Sequence, residues 1–324
     1  MGVGVFILGM HRSGTSVATR AVNLLGVSTA IDVDLVQPRP ENPTGYWESA
    51  SLVAVNTRLL DAVGSETGCP AILPSGWEQS APATELRDAA RSVVERVLPV
   101  EPWVWKDPRN CLTFLFWASA LDVRPVVVLM NRNPLEIAAS LHARDGESTV
   151  YGLALWERYL RSALGAITGL PVLVTSYEDL LADPPAWCKR TEAFLNAEGV
   201  ATLERDDARL LDVVDVELRH ARFTRADVLD DAVVSDAQRV LYVALQDLAS
   251  SHARFSSPGL PPESPTTEPL LAERRRAVQL KHELRRLQER ERLSPPWRRL
   301  GGRGEDGRTG RILAKLQRKP TDAS

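Results

Sequence analysis

The first 26 residues constrain this chain most. Val3 to Leu8 is an unbroken apolar run rich in β-branched residues, the pattern of a strand buried on both faces. Gly9 to Gly14 is a glycine-bounded turn, and Thr15 to Leu25 reads as a helix closed by Gly26. The unit recurs further on. Val126 to Met130 is a second apolar strand, after which Asn133, Pro134 and Glu136 take the N-cap, N1 and N3 positions of a capping-box arrangement. That helix should run to about Arg144 and stop near Gly146. Residues 151–167 read as a helix, Pro171 to Thr175 as a third buried strand, and 184–197 as another helix. The alternation predicts an α/β fold, a parallel sheet flanked by helices. Residues 28–100 are less regular, with helices expected over 49–62 and 83–97. Such an insertion is where an acceptor pocket can be built.

Composition narrows the class. With 324 residues, 44% hydrophobic and 25% charged, the chain is neither disordered throughout nor collagen-like, and it is no small disulfide scaffold. Cys69, Cys111 and Cys188 are far apart, which suits a reducing compartment and offers no zinc spacing. No metal is expected. The apolar start is short and lacks a preceding basic residue, and no later segment nears the roughly 18 apolar residues of a membrane span. A cytoplasmic protein is expected.

The net charge of −3 hides an asymmetry. Residues 1–270 carry 23 Lys and Arg against 35 Asp and Glu, whereas residues 271–324 carry 16 against 7. An acidic body ends in a basic tail, and nucleic acid is not an expected partner. The body is assigned to residues 1–255. Residues 256–269, with prolines at 258, 261, 262, 265 and 269, read as a linker. Residues 270–293 read as an amphipathic helix with Leu280, Leu284 and Leu287 on one face, and the basic tail 294–324 as disordered. That tail suits an anionic membrane surface or a protein partner, and a solvated, dispensable tail fits equally.

Two stretches carry chemistry. Gly9-Met10-His11-Arg12-Ser13-Gly14-Thr15-Ser16 has P-loop spacing, so backbone N–H groups can close around an oxyanion at the helix N-terminus. Thr15 stands where a Walker lysine belongs, which weakens an ATPase reading. Arg12 can supply the charge instead. The second stretch is Asn131-Arg132-Asn133-Pro134, with Ser140 eight residues after Arg132. An arginine fork and a hydroxyl at the carboxyl ends of the strands suit a terminal phosphate.

Together these stretches resemble the sulfotransferases that use 3′-phosphoadenosine 5′-phosphosulfate (PAPS). Arg12 to Ser16 match the family's 5′-phosphosulfate loop, Arg132 and Ser140 its 3′-phosphate motif, and Tyr177-Glu178-Asp179-Leu180 its Tyr-Glu-Asp segment. Gly45-Tyr46-Trp47-Glu48 and Trp105-Lys106-Asp107-Pro108-Arg109 are similar to segments of bacterial members acting on carbohydrates and small molecules. The resemblance covers residues 3 to about 200. It implies a P-loop-kinase-like architecture, a PAPS cosubstrate, and sulfuryl transfer to an acceptor hydroxyl on a saccharide, glycolipid or secondary metabolite. On this reading Arg12, Ser13, Gly14, Thr15, Ser16, Arg132, Ser140 and Tyr177 bind the nucleotide. Glu48 is the candidate base, with Glu41 next, and Arg12, Lys106 and His11 complete the catalytic set. Glu48 also suits a helix start at Ala50, Lys106 an ion pair with Asp107 or another carboxylate, and His11 a structural role. Trp47, Trp103, Trp105 and Trp117 suit core packing more than stacking on an acceptor. Arg219, His220 and Arg222 are the nearest substitutes for the family's C-terminal Arg-Lys-Gly loop. Two rivals stay open: an ATP-dependent small-molecule kinase, and a catalytically silent nucleotide-binding scaffold.

Overall fold

The computed structural model describes residues 2–39, 45–203, 207–214 and 219–293. Among these, β1 (Gly2–Leu8), β2 (Trp103–Lys106), β3 (Val123–Asn131), β4 (Val172–Ser176) and β5 (Ser251–His252) form one sheet of order β2-β1-β3-β4-β5. The first four strands are parallel, and the two-residue β5 pairs antiparallel with β4. The central strand β1 explains the layering. Phe6 and Leu8 face one apolar core and Val5 and Ile7 the other, all four fully buried. A strand with two buried faces reads as a continuous apolar run, which is why it was visible in the sequence.

Helix α1 (Thr15–Leu24) follows β1 and packs on one face of the sheet with α8 (Pro184–Ala197) and α9 (Asp207–Val213). The other face carries α2 (Ala50–Ala62), α3 (Ala81–Val97), α4 (Asn110–Ala120), α5 (Pro134–Asp145) and α6 (Thr149–Ala166). The short α7 (Tyr177–Ala182) opens at the end of β4, and α10 (Arg225–Asp230) and α11 (Asp236–Asp247) precede β5. The expected helices and strands stand within a few residues of their expected bounds. Strand β2 and helix α4 were not anticipated. β2 is four residues long, and α4 (NCLTFLFWASA) is apolar almost all round, so it shows no helical stripe.

The capping box at α5 is half formed. Asn133 caps the helix, its side chain accepting from the Leu135 N–H at 3.0 Å. Glu136, fully buried, does not reach back to the Asn133 N–H, which donates to Glu178 at 3.2 Å. Two arginines hold Glu136 instead, because pairing with an ionised guanidinium outweighs a bond from an uncharged N–H.

The C-terminal region contacts the body closely. The last described helix, α12 (Thr267–Leu293), starts three residues earlier than expected and packs on α6. The proline-rich stretch read as a linker is tied to α6 by buried charge. Glu157 is fully buried and accepts from Ser264 N–H at 3.0 Å, Thr267 Oγ1 at 2.8 Å, Gln238 at 3.3 Å and Arg161 at 2.9 Å. Beside it, the buried Arg158 reaches Glu263 and Glu268 at 2.8 and 2.7 Å. Phe255 and Leu271 bury the two ends of this strap. Glu157→Ala strands several buried donors, so it should cost about 3–5 kcal/mol of stability. Urea denaturation checks this through a lower midpoint at unchanged slope. A loss below about 1 kcal/mol would mean the strap holds without Glu157. The basic tail 294–324 lies outside the described residues. No described helix is long and apolar enough to cross a membrane.

Candidate active site

The turn after β1 is built to leave a helix N-terminus open. Ser13 folds inward, its N–H and hydroxyl both donating to the Met10 carbonyl at 3.2 and 2.5 Å. Its hydroxyl therefore closes the turn rather than facing a ligand. Gly14 is the N-cap of α1 at φ +79°, with no side-chain cap and no acidic residue in the first turn. A Cβ at Gly14 would sit 2.2 Å from Cδ2 of Tyr177. Backbone conformation and close approach both demand glycine here. Gly14→Ala should cost about 1–3 kcal/mol through strain, read as a lower melting temperature. An unchanged melt would show that the loop relaxes around the methyl group.

The two stretches singled out in the sequence meet. Arg12, itself at φ +70°, donates from Nε to Ser140 Oγ at 2.8 Å across 128 residues of sequence. Arg132 donates to the Arg12 carbonyl at 2.7 Å and lies over the Tyr177 ring, 4.5 Å from its centroid. Arg132 also pairs with Glu136 at 3.0 Å, and Arg219 pairs with the same carboxylate at 2.6 Å. Burial works to raise the Glu136 carboxyl, but the Arg219 hydrogen bonds, the Arg132 charge and the Phe223 amide together hold it below the usual carboxylate range. Arg132 and Arg219 share the buried Glu136, Arg219 also lies 3.9 Å from Glu178, and Arg12 brings a third guanidinium alongside through Ser140 and its own carbonyl. Of the three substitutes named for the C-terminal loop, Arg219 reaches this cluster, while His220 and Arg222 are exposed. Glu136 and Arg219 are the residues that sequence reasoning undervalued, since a local cap rule hid the first and no spacing signal marked the second.

Lys106 closes the other side. It leaves the end of β2 almost fully buried and donates to Glu48 Oε1 at 2.5 Å and Ser16 Oγ at 3.2 Å. Its partner is therefore Glu48 and not Asp107. The helix-start role of Glu48 falls to Ser49, whose side chain caps α2 by accepting from Leu52 N–H. The Glu48 carbonyl is held by the Val36 N–H at 2.8 Å, and the Tyr46 carbonyl by Ser16 Oγ at 3.1 Å. The segment thus returns over the first turn of α1. Beneath Lys106, the fully buried Asp107 accepts from Asn56 at 2.8 Å and from Arg109 at 2.9 Å. Asn56 in turn accepts from Thr113 and Trp117, each at 2.8 Å. This buried network fixes the Lys106–Arg109 corner.

His11 packs edge-on against Tyr159, ring centroids 5.6 Å apart. Burial first, then the charges of Arg109, Arg144, Lys106 and Arg12, push its pKa well below the ordinary 6.5, so the imidazole is neutral. Thr15 is buried, leaving its backbone N–H as its contribution to an anion site. Trp103, Trp105 and Trp117 are core residues, whereas Trp47 lies under Arg20 at 4.6 Å. All three cysteines are buried, and Cys111 Sγ accepts from the Gly9 N–H at 3.2 Å. Glu41 lies outside the described residues.

No family model matches the chain, and no curated protein matches it in sequence. Among solved structures it is similar to the sulfotransferase domain from the curacin biosynthetic pathway, at 15% identity and TM-score 0.40, over 85% of this chain and 97% of that one. It is similar to the sulfotransferase domain of the Synechococcus PCC 7002 olefin synthase, at 17% identity and TM-score 0.36, over 84% and 93%. A third is retinol dehydratase in complex with androsterone and the inactive cofactor PAP, at 14% identity and TM-score 0.32, over 84% and 78%. These superpositions are loose, and the functional reading rests on the geometry of the site itself.

Proposed function

We propose that this chain is a PAPS-dependent sulfotransferase that moves a sulfuryl group to an acceptor hydroxyl. One observation carries the reading: the Arg12–Ser140 contact at 2.8 Å, which joins a phosphate loop at one strand end to a second anion motif at the next. A donor with phosphates at both 5′ and 3′ positions needs two such motifs side by side. The uncapped N-terminus of α1, free of acidic residues in its first turn, fits the 5′ group. Arg132, Ser140 and Arg219 fit the 3′-phosphate, and Tyr177 lies between the two.

When bound, the cosubstrate supplies a sulfuryl group whose bond to phosphate oxygen breaks as the acceptor oxygen bonds to sulfur, the electron pair leaving with the phosphate. The protein's work is then positioning and charge neutralisation, as for phosphoryl transfer. Arg12 and the N–H groups of Gly14, Thr15 and Ser16 take up the charge released on the phosphate. Lys106, fixed by Ser16 and Glu48, meets the transferring group from the β2 side. Glu48 accepts the acceptor's proton through its carboxylate. A sulfuryl group carries less charge than a phosphoryl group, so the reaction as drawn requires no metal.

Turnover tests the reading. Purified protein supplied with PAPS and a mixed pool of hydroxyl acceptors should release adenosine 3′,5′-bisphosphate (PAP) and a sulfated product. Phosphoryl transfer from magnesium ATP under the same conditions, without PAP release, would select the kinase reading, and neither reaction the silent scaffold.

A further inference from the structure

A cavity of about 320 Å³ opens beside the phosphate loop, and Met10 and His11, the residues just before Arg12, form part of its wall. Arg274 and Val278 of α12 also line it. The C-terminal segment, strapped down through Glu157 and Arg158, therefore completes this space. We propose that the cavity is the acceptor site and that it takes a small, uncharged, polyhydroxylated molecule of about the size of a sugar or cyclitol. The proposal rests on the sulfotransferase reading.

The charge pattern of the wall selects the class. Arg109, Arg144 and Arg274 line it together with Glu66, Asp145 and Glu147. Each guanidinium already has a carboxylate: Arg109 with Asp107 at 2.9 Å, Arg144 with Asp145 at 2.5 Å, and Arg274 with Glu147. An anionic acceptor would compete with these carboxylates, and a cationic one with the guanidiniums. Hydroxyl groups do neither, because each donates to a carboxylate and accepts from a guanidinium while the pairs stay intact. Leu141, Leu155 and Val278 give the cavity an apolar side for the C–H face of a ring. The volume lies at the small end of ligand pockets, below what a large polycyclic acceptor needs.

His11 lies where the cavity borders the phosphate loop. The Tyr159 hydroxyl donates a hydrogen bond to the Thr67 carbonyl at 2.9 Å, so its oxygen is left to accept from His11 Nε2, 3.4 Å away. That leaves Nδ1 of the neutral ring as an acceptor at the junction of cavity and loop. A hydroxyl of the bound molecule that donates to this ring is thereby held by the residue that precedes Arg12.

The test uses the full chain, radiolabelled PAPS and three groups of soluble acceptors: uncharged monosaccharides, disaccharides and cyclitols; sugar phosphates and uronic acids; and phenols. PAP titration runs alongside. Label should pass to one or more uncharged sugars or cyclitols. Val278→Trp, which fills the cavity from α12, and Glu66→Gln, which removes one carboxylate without adding bulk, should each lower kcat/KM for that acceptor at least about tenfold while PAP affinity holds. Transfer confined to phosphates, uronic acids or phenols overturns the proposal. So does tight PAP binding with no transfer to any uncharged polyol, or unchanged kcat/KM in both variants. Failure of the unmodified chain to bind PAP removes the underlying function as well, and the titration tells that outcome apart.

Discussion

Glu48→Gln should lower turnover by about 10²- to 10⁴-fold, the usual range for loss of a general base, with PAP affinity nearly unchanged. Glu48 is held beside the first turn of α1, which suits the proposed role. Its carboxylate lies 2.5 Å from Lys106, which contacts Ser16 in the first turn of α1. The substitution keeps size and leaves an amide oxygen to accept from Lys106, so stability should fall by no more than about 1–2 kcal/mol. A larger loss of folding would confuse the reading, and a thermal melt beside the kinetics guards against it. Near-normal turnover would remove Glu48 as the proton acceptor. The assignment then passes to Glu41 and after it to His11, whose neutral ring borders both the loop and the cavity.

Arg132→Ala should weaken PAP binding by roughly 10- to 150-fold, the equivalent of about 1.5–3 kcal/mol for a charge-assisted contact. The change has two parts. It removes a guanidinium from the proposed 3′-phosphate site, and it leaves the fully buried Glu136 with Arg219 as its remaining arginine partner. Both oppose a bound phosphate. Ser140→Ala should cost less, since a neutral hydroxyl is lost, although Arg12 also loses its 2.8 Å partner. Adenosine 5′-phosphosulfate, which lacks the 3′-phosphate, should feel the Arg132 change far less. Equal losses for both ligands would mean that Arg132 does not read the 3′-phosphate.

How much of this was legible in the sequence differs by residue. The Gly9–Gly14 turn was readable because its signal is local: a buried strand, two glycines at fixed spacing and a helix start. That Arg132 and Ser140 would lie beside it followed from a general property of open α/β sheets, whose ligands bind at the carboxyl ends of the strands. The Lys106 corner was visible as residues but not as an arrangement. Its order comes from Asn56, 51 residues before Asp107, and no spacing pattern announces such a contact. Glu136 was misread because the N3 position of a helix carries a local rule, and Arg219, 83 residues away, overrides it. The strap 256–269 was read from its prolines, which report backbone stiffness and say nothing of what the segment touches. Its anchors, Glu157 and Arg158, look in the sequence like ordinary charges on a helix, whereas both are buried. With the strap unseen, nothing in the sequence placed α12 in the wall of the cavity that His11 also lines.

The central claim is that one site reads phosphates at both ends of an adenosine, and isothermal titration with PAP and with magnesium ATP tests it most directly. PAP should bind one to one, and at least about tenfold more tightly than ATP, as expected when a charge-assisted 3′-phosphate contact separates the two ligands. ATP binding as tightly as PAP, or binding of neither, would contradict the account.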